Sequence, residues 1–192
     1  MRGIHKILVV CSSQKGIKVM SDNLREIGYN HIDVEKNGGA ARRKLIEDDY
    51  DLVIIDTPLT DEVGSDIAIK ITQERVTGVI VTAKAESADM LTEKLEEFGV
   101  FVISKPFLKP LFNQSVKFVF TSLNRLNNLK KEQDKLQSKV EDIRIVNRAK
   151  CLLIQYGNMS EQQAHKYLEK QAMDERKSRK EVAESVINYY EV

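Results

Sequence analysis

The chain has 192 residues, 42% of them hydrophobic and 31% charged, enough for one ordinary domain and a smaller one, each with a buried core. A formal net charge of +1 supplies no global field for nucleic acid, so any basic site must be a local patch. No apolar run approaches the roughly 20 residues of a membrane helix, and the apolar start lacks a signal-peptide layout.

In the first hundred residues, short apolar runs alternate with helix-length segments. Ile7-Leu8-Val9-Val10, Leu52-Val53-Ile54-Ile55, Val79-Ile80-Val81 and Val100-Phe101-Val102-Ile103 are continuous β-branched or aromatic runs. Such runs suit strands covered on both faces, as in a parallel sheet. His31-Ile32-Asp33-Val34 alternates instead, which suits an edge strand. Helices are predicted over 14–27, 39–47, 62–74 and 87–98. The order predicts an α/β fold, a doubly wound five-stranded parallel sheet with the second strand at one edge.

In such sheets the functional crevice lies beyond the carboxyl ends of the strands. Cys11 and Ser12 follow the first strand, Asp56 closes the third, Thr82 ends the fourth and Lys105-Pro106 follows the fifth. A lone acid at a strand end is an ordinary turn former. An acid, a hydroxyl and a lysine converging from three strand ends form a more specific pattern.

On these residues the segment 1–120 resembles the receiver domain of response regulators. Asp56 matches the phospho-acceptor aspartate, Gly64 the glycine that follows it, Thr82 the switch hydroxyl, and Lys105 the lysine before Pro106 and Phe107. The resemblance implies phosphoryl transfer to the aspartate from a sensor kinase, aided by Mg²⁺. Two departures stand against it. Cys11 and Ser12 replace the acid pair that holds the metal, and a thiol and a hydroxyl are poor ligands for Mg²⁺. Val102 occupies the usual aromatic switch position, with Phe101 offset by one. Asp56 alone is a weak Mg²⁺ site at most, so no cofactor is expected. The expectation is an atypical pocket governed by a protein partner rather than by phosphorylation.

From Lys109 to about Gln155 there is no glycine, Pro110 is confined to the first turn, and helix formers dominate. Val119, Leu126, Gln133, Val140 and Asn147 recur at one heptad position, and Ser122, Leu129, Leu136 and Ile143 at the other. The pattern predicts a coiled coil over 111–145 and hence a homodimer, with Gln133 and Asn147 as polar register-setting positions. The bland reading is a single solvated helix.

Beyond it, Gly157 suits a helix C-cap, and Ser160-Glu161-Gln162-Gln163 and Ser178-Arg179-Lys180-Glu181 read as capping boxes. Together with the end of the long helix they predict a small three-helix all-α domain over 136–192. The stretches Arg148-Ala149-Lys150, Gly157-Asn158-Met159-Ser160-Glu161, Gln171-Ala172-Met173 and Val182-Ala183, with Leu153, Ala164, Leu168 and Arg179, resemble the ANTAR domain. That resemblance implies binding of paired RNA hairpins in a leader transcript and transcription antitermination. It also implies a cytoplasmic regulator that is not an enzyme. Cys11 and Cys151 lack ligand spacing and fit that setting as reduced thiols of the core.

Residue chemistry nominates Arg148, Lys150, Gln171, Arg176, Lys177, Arg179 and Lys180 for RNA contact, cations for phosphates and the amide for a loop base. Tyr189 and Tyr190 are base-stacking candidates, although a terminal tyrosine pair more often closes a core. Two rivals remain at this point. One is a DNA-binding response regulator, disfavoured by a last helix poor in base-reading side chains. The other is a protein-interaction module without nucleic acid.

Overall fold

The computed structural model describes residues 5–190; residues 1–4, 191 and 192 of the expected domains lie outside the described residues. The chain divides into two compact units, Met1–Asn127 and Asn128–Val192.

In the first unit, strands β1 (Lys6–Cys11), β2 (His31–Glu35), β3 (Leu52–Asp56), β4 (Gly78–Lys84) and β5 (Phe101–Lys105) alternate with helices α1 (Gln14–Glu26), α2 (Gly38–Glu47), α3 (Ser65–Glu74) and α4 (Ala85–Leu95). All strand pairs are parallel, in the order β2-β1-β3-β4-β5. The alternating second strand is thus at one edge, and the continuous apolar runs of β1, β3 and β4 are buried on both faces, whereas that of β5, the other edge, leaves Phe101 exposed.

Element ends follow local chemistry. Ser13 caps α1, its Oγ accepting from the Gly16 N–H at 3.2 Å, and Asn37 caps α2 through the Ala40 N–H at 2.7 Å. The third helix starts at Ser65 rather than at 62. Gly64 sits before it at φ 94°, a left-handed conformation outside the helix, where a Cβ would come within 3.1 Å of Ile55 and Thr57. The fourth helix begins at Ala85 rather than at 87, tightens to a 3-10 turn over Glu96–Phe98 and is stopped by Gly99 at φ 70°. Thr82 does not end β4, which runs on to Lys84.

Two apolar layers sandwich the sheet. Leu8, Val10, Val53, Ile55 and Val81 face α2, α3 and α4. Ile7, Val9, Leu52, Ile54, Ile80 and Ile103 face α1 and the start of α5 (Lys109–Gln155). α5 packs closely there because Gly78 has no side chain: a Cβ would lie 2.4 Å from Val119 Cγ1. Val119 therefore belongs to this core, and the expected heptad repeat begins only at Leu126.

In the second unit the end of α5 shares a core with α6 (Glu161–Glu175) and α7 (Arg179–Tyr190), built from Ala149, Leu153, Ala164, Leu168, Val182 and Ala183. Both capping boxes form. Gln163 N–H donates to Ser160 Oγ and Ser160 N–H to Gln163 Oε1, while Glu181 N–H donates to Ser178 Oγ and Ser178 N–H to Glu181 Oε2. Gly157 is not the left-handed cap. Asn158 takes the positive φ, at 49°, and Gly157 instead permits close approach to the Leu153 carbonyl, 2.6 Å from where its Cβ would be. The α6–α7 turn closes without glycine because Arg176 adopts φ 54° and the Lys177 N–H reaches the Ala172 carbonyl. Among the described residues no helix is long and apolar enough to cross a membrane.

Candidate functional site

Parallel register places Cys11, Asp56 and Thr82 side by side at the ends of β1, β3 and β4. Lys105, closing β5, reaches into the same row. Asp56 Oδ1 accepts from Thr82 Oγ1 at 2.5 Å and from Lys105 Nζ at 2.6 Å. Its other oxygen, Oδ2, accepts the Cys11 thiol at 3.2 Å. Lys105 also donates to the Thr57 carbonyl at 2.9 Å, which holds the ammonium over the pocket. Thr57 is in turn tied to the Thr82 carbonyl by both its N–H and its hydroxyl. Its role was missed in the sequence, where a threonine after an acid reads only as a turn residue.

Cys11 is fully buried. Burial pushes its thiol up to about 11, and the Asp56 carboxylate adds to the effect. It is therefore a neutral S–H donor at ordinary pH. Gly16 makes room for the sulfur, since a Cβ there would lie 2.7 Å from Cys11 Sγ. Ser12 does not share the pocket: its hydroxyl donates to the Lys36 carbonyl at 3.1 Å. Val102 packs against the α3/α4 layer, whereas Phe101 lies across the sheet beside Phe118, ring centroids 6.1 Å apart. No aromatic side chain therefore occupies the switch position.

These residues do not fit Mg²⁺. A hard dication needs several oxygen ligands, and here one carboxylate is available, with both oxygens already engaged by an ammonium, a hydroxyl and a thiol. The acids Asp61 and Glu62 on the β3–α3 loop are engaged elsewhere. Asp61 accepts the Gly38 and Gly39 N–H groups at the start of α2, each at 2.9 Å, and both Glu62 oxygens pair with Arg42. Among the described residues no cluster of three or more metal-ligating side chains occurs. A cleft of about 450 Å³ between the first turn of α1 and the segment after β5 opens onto Asp56 and Lys105.

In the second unit the nominated cations are placed as follows. Arg148 and Lys150 are on the last turns of α5, and Lys150, mostly covered, lies 3.5 Å from Glu161. Lys177 pairs with Glu175 at 2.8 Å, Arg179 lies 3.4 Å from Glu169, and Lys180 lies 3.0 Å from Asp142 of α5. Those carboxylates hold the Lys177 and Lys180 ammonium groups above their ordinary value. Arg176 is exposed at the tip of the turn. Gln171 is half-buried on α6. The tyrosine pair splits: Tyr190 packs on the helical core, and Tyr189 is 79% exposed.

Family models match both units: the response regulator receiver domain over residues 7–117 and the ANTAR domain over residues 134–187. The transcriptional regulatory protein PdtaR of Mycobacterium tuberculosis is 27% identical over 168 residues, 88% of this chain and 82% of that protein. The response regulator DrrB of Thermotoga maritima is 26% identical with a TM-score of 0.54, over 62% of this chain and 54% of that one. A signal receiver domain of an HD domain-containing protein from Pseudomonas fluorescens, 18% identical, shares the fold. Its TM-score is 0.59, over 67% of this chain and 96% of that one.

The buried, neutral Cys11 sets an expectation for thiol chemistry. At pH 8 the native protein should titrate one fast thiol with Ellman's reagent, the exposed Cys151, and release the second only in denaturant. Two fast thiols in the native state would show that Cys11 is neither buried nor held as the thiol.

Proposed function

The chain belongs to the response-regulator family, with a receiver domain followed by an ANTAR domain, and on that premise we propose that it is a transcription antitermination regulator that binds hairpin RNA. The RNA would lie in a nascent leader transcript and meet the C-terminal helices. The observation that carries the reading is the match of 134–187 to the ANTAR domain, on a unit whose α6–α7 turn presents Arg176, Lys177, Arg179 and Lys180. Cations on one exposed turn suit phosphates of a folded RNA. The rival DNA reading fits less well: α7 carries Glu181 and Glu184 on its exposed face, which repel a duplex backbone. A cytoplasmic location belongs to the same proposal, because nascent transcripts are met there.

The receiver is proposed to act without Mg²⁺ or a phosphorylated Asp56, through a regulatory protein partner. Cys11 supports this, since a neutral thiol replaces the metal-binding acid and satisfies the carboxylate. The chain is further proposed to be a homodimer through α5. Leu129, Leu136, Val140 and Ile143, at coiled-coil spacing, are 53%, 63%, 51% and 59% exposed, and such a stripe is covered most simply by its own copy.

Three measurements test these statements. A pool of two-hairpin RNAs with randomised loops should be retained by the full chain in preference to a duplex DNA pool of equal length. Replacing Arg179 and Lys180 by alanine should weaken RNA retention about tenfold or more and lower the salt slope by about 2. Glu169→Gln and Asp142→Asn, which break the same ion pairs but keep the cations, should retain RNA; equal retention of DNA, or of nothing, rejects the reading. Acetyl phosphate with Mg²⁺ should leave the intact mass unchanged, and a phosphoryl adduct lost in Asp56→Asn would overturn the proposed control. Leu136→Lys should convert a dimer to a monomer in sedimentation, and a monomeric wild type would remove the coiled coil.

A further inference from the structure

Between α6 and α7 runs a groove of about 380 Å³ that no part of the pocket chemistry above uses. Tyr167, Gln171 and Glu175, one turn apart on α6, form one wall, and Ser185 and Tyr189 on α7 form the other. The helix period dictates this layout: positions four apart share a face. Tyr190 lies at the base, its ring stacked on Tyr156 at 5.7 Å and met edge-on by Tyr189 at 5.0 Å. Tyr190 is thereby fixed by the core, while Tyr189 keeps most of its ring in water.

An exposed aromatic ring held in place by a packed neighbour is a ready stacking platform. The groove's other chemistry narrows what stacks there. The charged residue in its lining is Glu175, one oxygen of which accepts from Lys177 at 2.8 Å, so the lining itself offers a backbone phosphate no cation. Gln171 offers an amide donor and acceptor, and Glu175 an acceptor, along one edge. Amide and carboxylate side chains pair with the amino edges of adenine and cytosine. Outside the groove, at the same end as Glu175, the basic turn from Arg176 to Lys180 supplies the phosphate contacts that the groove refuses. Stacking, amide and cation are thus arranged in sequence along one short surface.

We infer that this groove receives one unstacked loop base of a bound RNA hairpin, sandwiched against Tyr189 and read on its amino edge by Gln171 and Glu175. The inference rests on the RNA-binding reading and deepens it, because it assigns base recognition to the tyrosine groove and backbone recognition to the basic turn.

The test uses the full chain and the best-retained two-hairpin RNA from the randomised pool, with an abasic nucleotide placed at each loop position in turn. Tyr189→Ala should weaken binding about five- to hundredfold and leave the salt slope unchanged, since no phosphate contact is lost. Tyr189→Phe should bind as wild type. At one loop position, base removal should cost affinity in the wild type and nothing further in Tyr189→Ala, a coupling that a general loss of structure does not produce. Thermal melts of the variants, expected unchanged for so exposed a ring, check the fold. Additive losses at every loop position, or Tyr189→Ala binding as wild type, overturn the groove assignment while leaving RNA binding intact. A wild-type chain that retains no RNA overturns both, and a groove filled by a protein segment would appear as Tyr189→Ala losing that partner and not RNA.

Discussion

The charge on Asp56 is the constraint around which the first unit is organised. A carboxylate at the end of a buried strand must be satisfied by donors, or it raises the cost of folding. Parallel register brings a hydroxyl and a thiol to its two sides, and β5 delivers an ammonium from beyond the row. Those three donors occupy both carboxylate oxygens. The same network explains Thr57, whose carbonyl steadies Lys105, and Gly16, whose missing side chain admits the sulfur. Replacing an acid by Cys11 thus changes the pocket from one that gathers a cation into one that is closed on itself. The proposed signal entry by contact with another protein would require no chemistry at Asp56, only a surface whose arrangement the network holds.

The central strands were legible because burial on both faces leaves a simple mark, continuous β-branched runs, and the edge strand β2 leaves another, alternation; β5, the other edge, carries a continuous run although its outer face is not buried. Boundaries were less legible where one residue's backbone decides. Gly64 sets the start of α3 and Gly99 the end of the turn after α4 by adopting positive φ, and the periodicity of neighbouring residues carries no trace of that. At Gly157 the residue type was informative but its use was not: Asn158 takes the left-handed conformation, and the glycine serves a close backbone contact. In the pocket, the row Asp56, Thr82 and Lys105 could be read from strand ends alone. That Cys11 points in while Ser12 turns to the Lys36 carbonyl is set by strand alternation at the last residue of β1, which the sequence does not locate to one position. Pairings such as Arg42–Glu62 and Lys180–Asp142 join distant segments and have no local signature at all.

In the second unit fold and function draw on the same side chains. Lys177, Arg179 and Lys180 each lie against a carboxylate; Lys177 and Arg179 are about half in water and Lys180 is more covered but still open to solvent. Exposed pairs of this kind contribute little to stability. A phosphate can therefore replace a carboxylate as partner at small cost, and the carboxylates hold the cations in position until it does. Lys150 differs, being mostly covered beside Glu161; it joins α5 to the start of α6 and is less available to a ligand. This divides the nominated cations by burial rather than by sequence position.

The long helix decides how the two ends can communicate. Its first turns are fixed in the receiver core by Phe112, Val116 and Val119, and its last turns in the second core by Ala149 and Leu153. Between Leu126 and Ile143 every apolar side chain at coiled-coil spacing is exposed, so among the described residues no apolar packing fixes that stripe, and the Lys180–Asp142 pair holds only its end. A ligand or partner shifts an equilibrium only by binding one state better than another. In the proposed homodimer, the states available to this segment would be those of its pairing with a second helix, in register or in presence. Polar Gln133 and Asn147 within the stripe would make such registers discrete, since each buried amide wants its own partner. Under the proposed partner control and the proposed RNA binding, the two ends would be linked through this stretch, whose apolar stripe the single chain leaves uncovered.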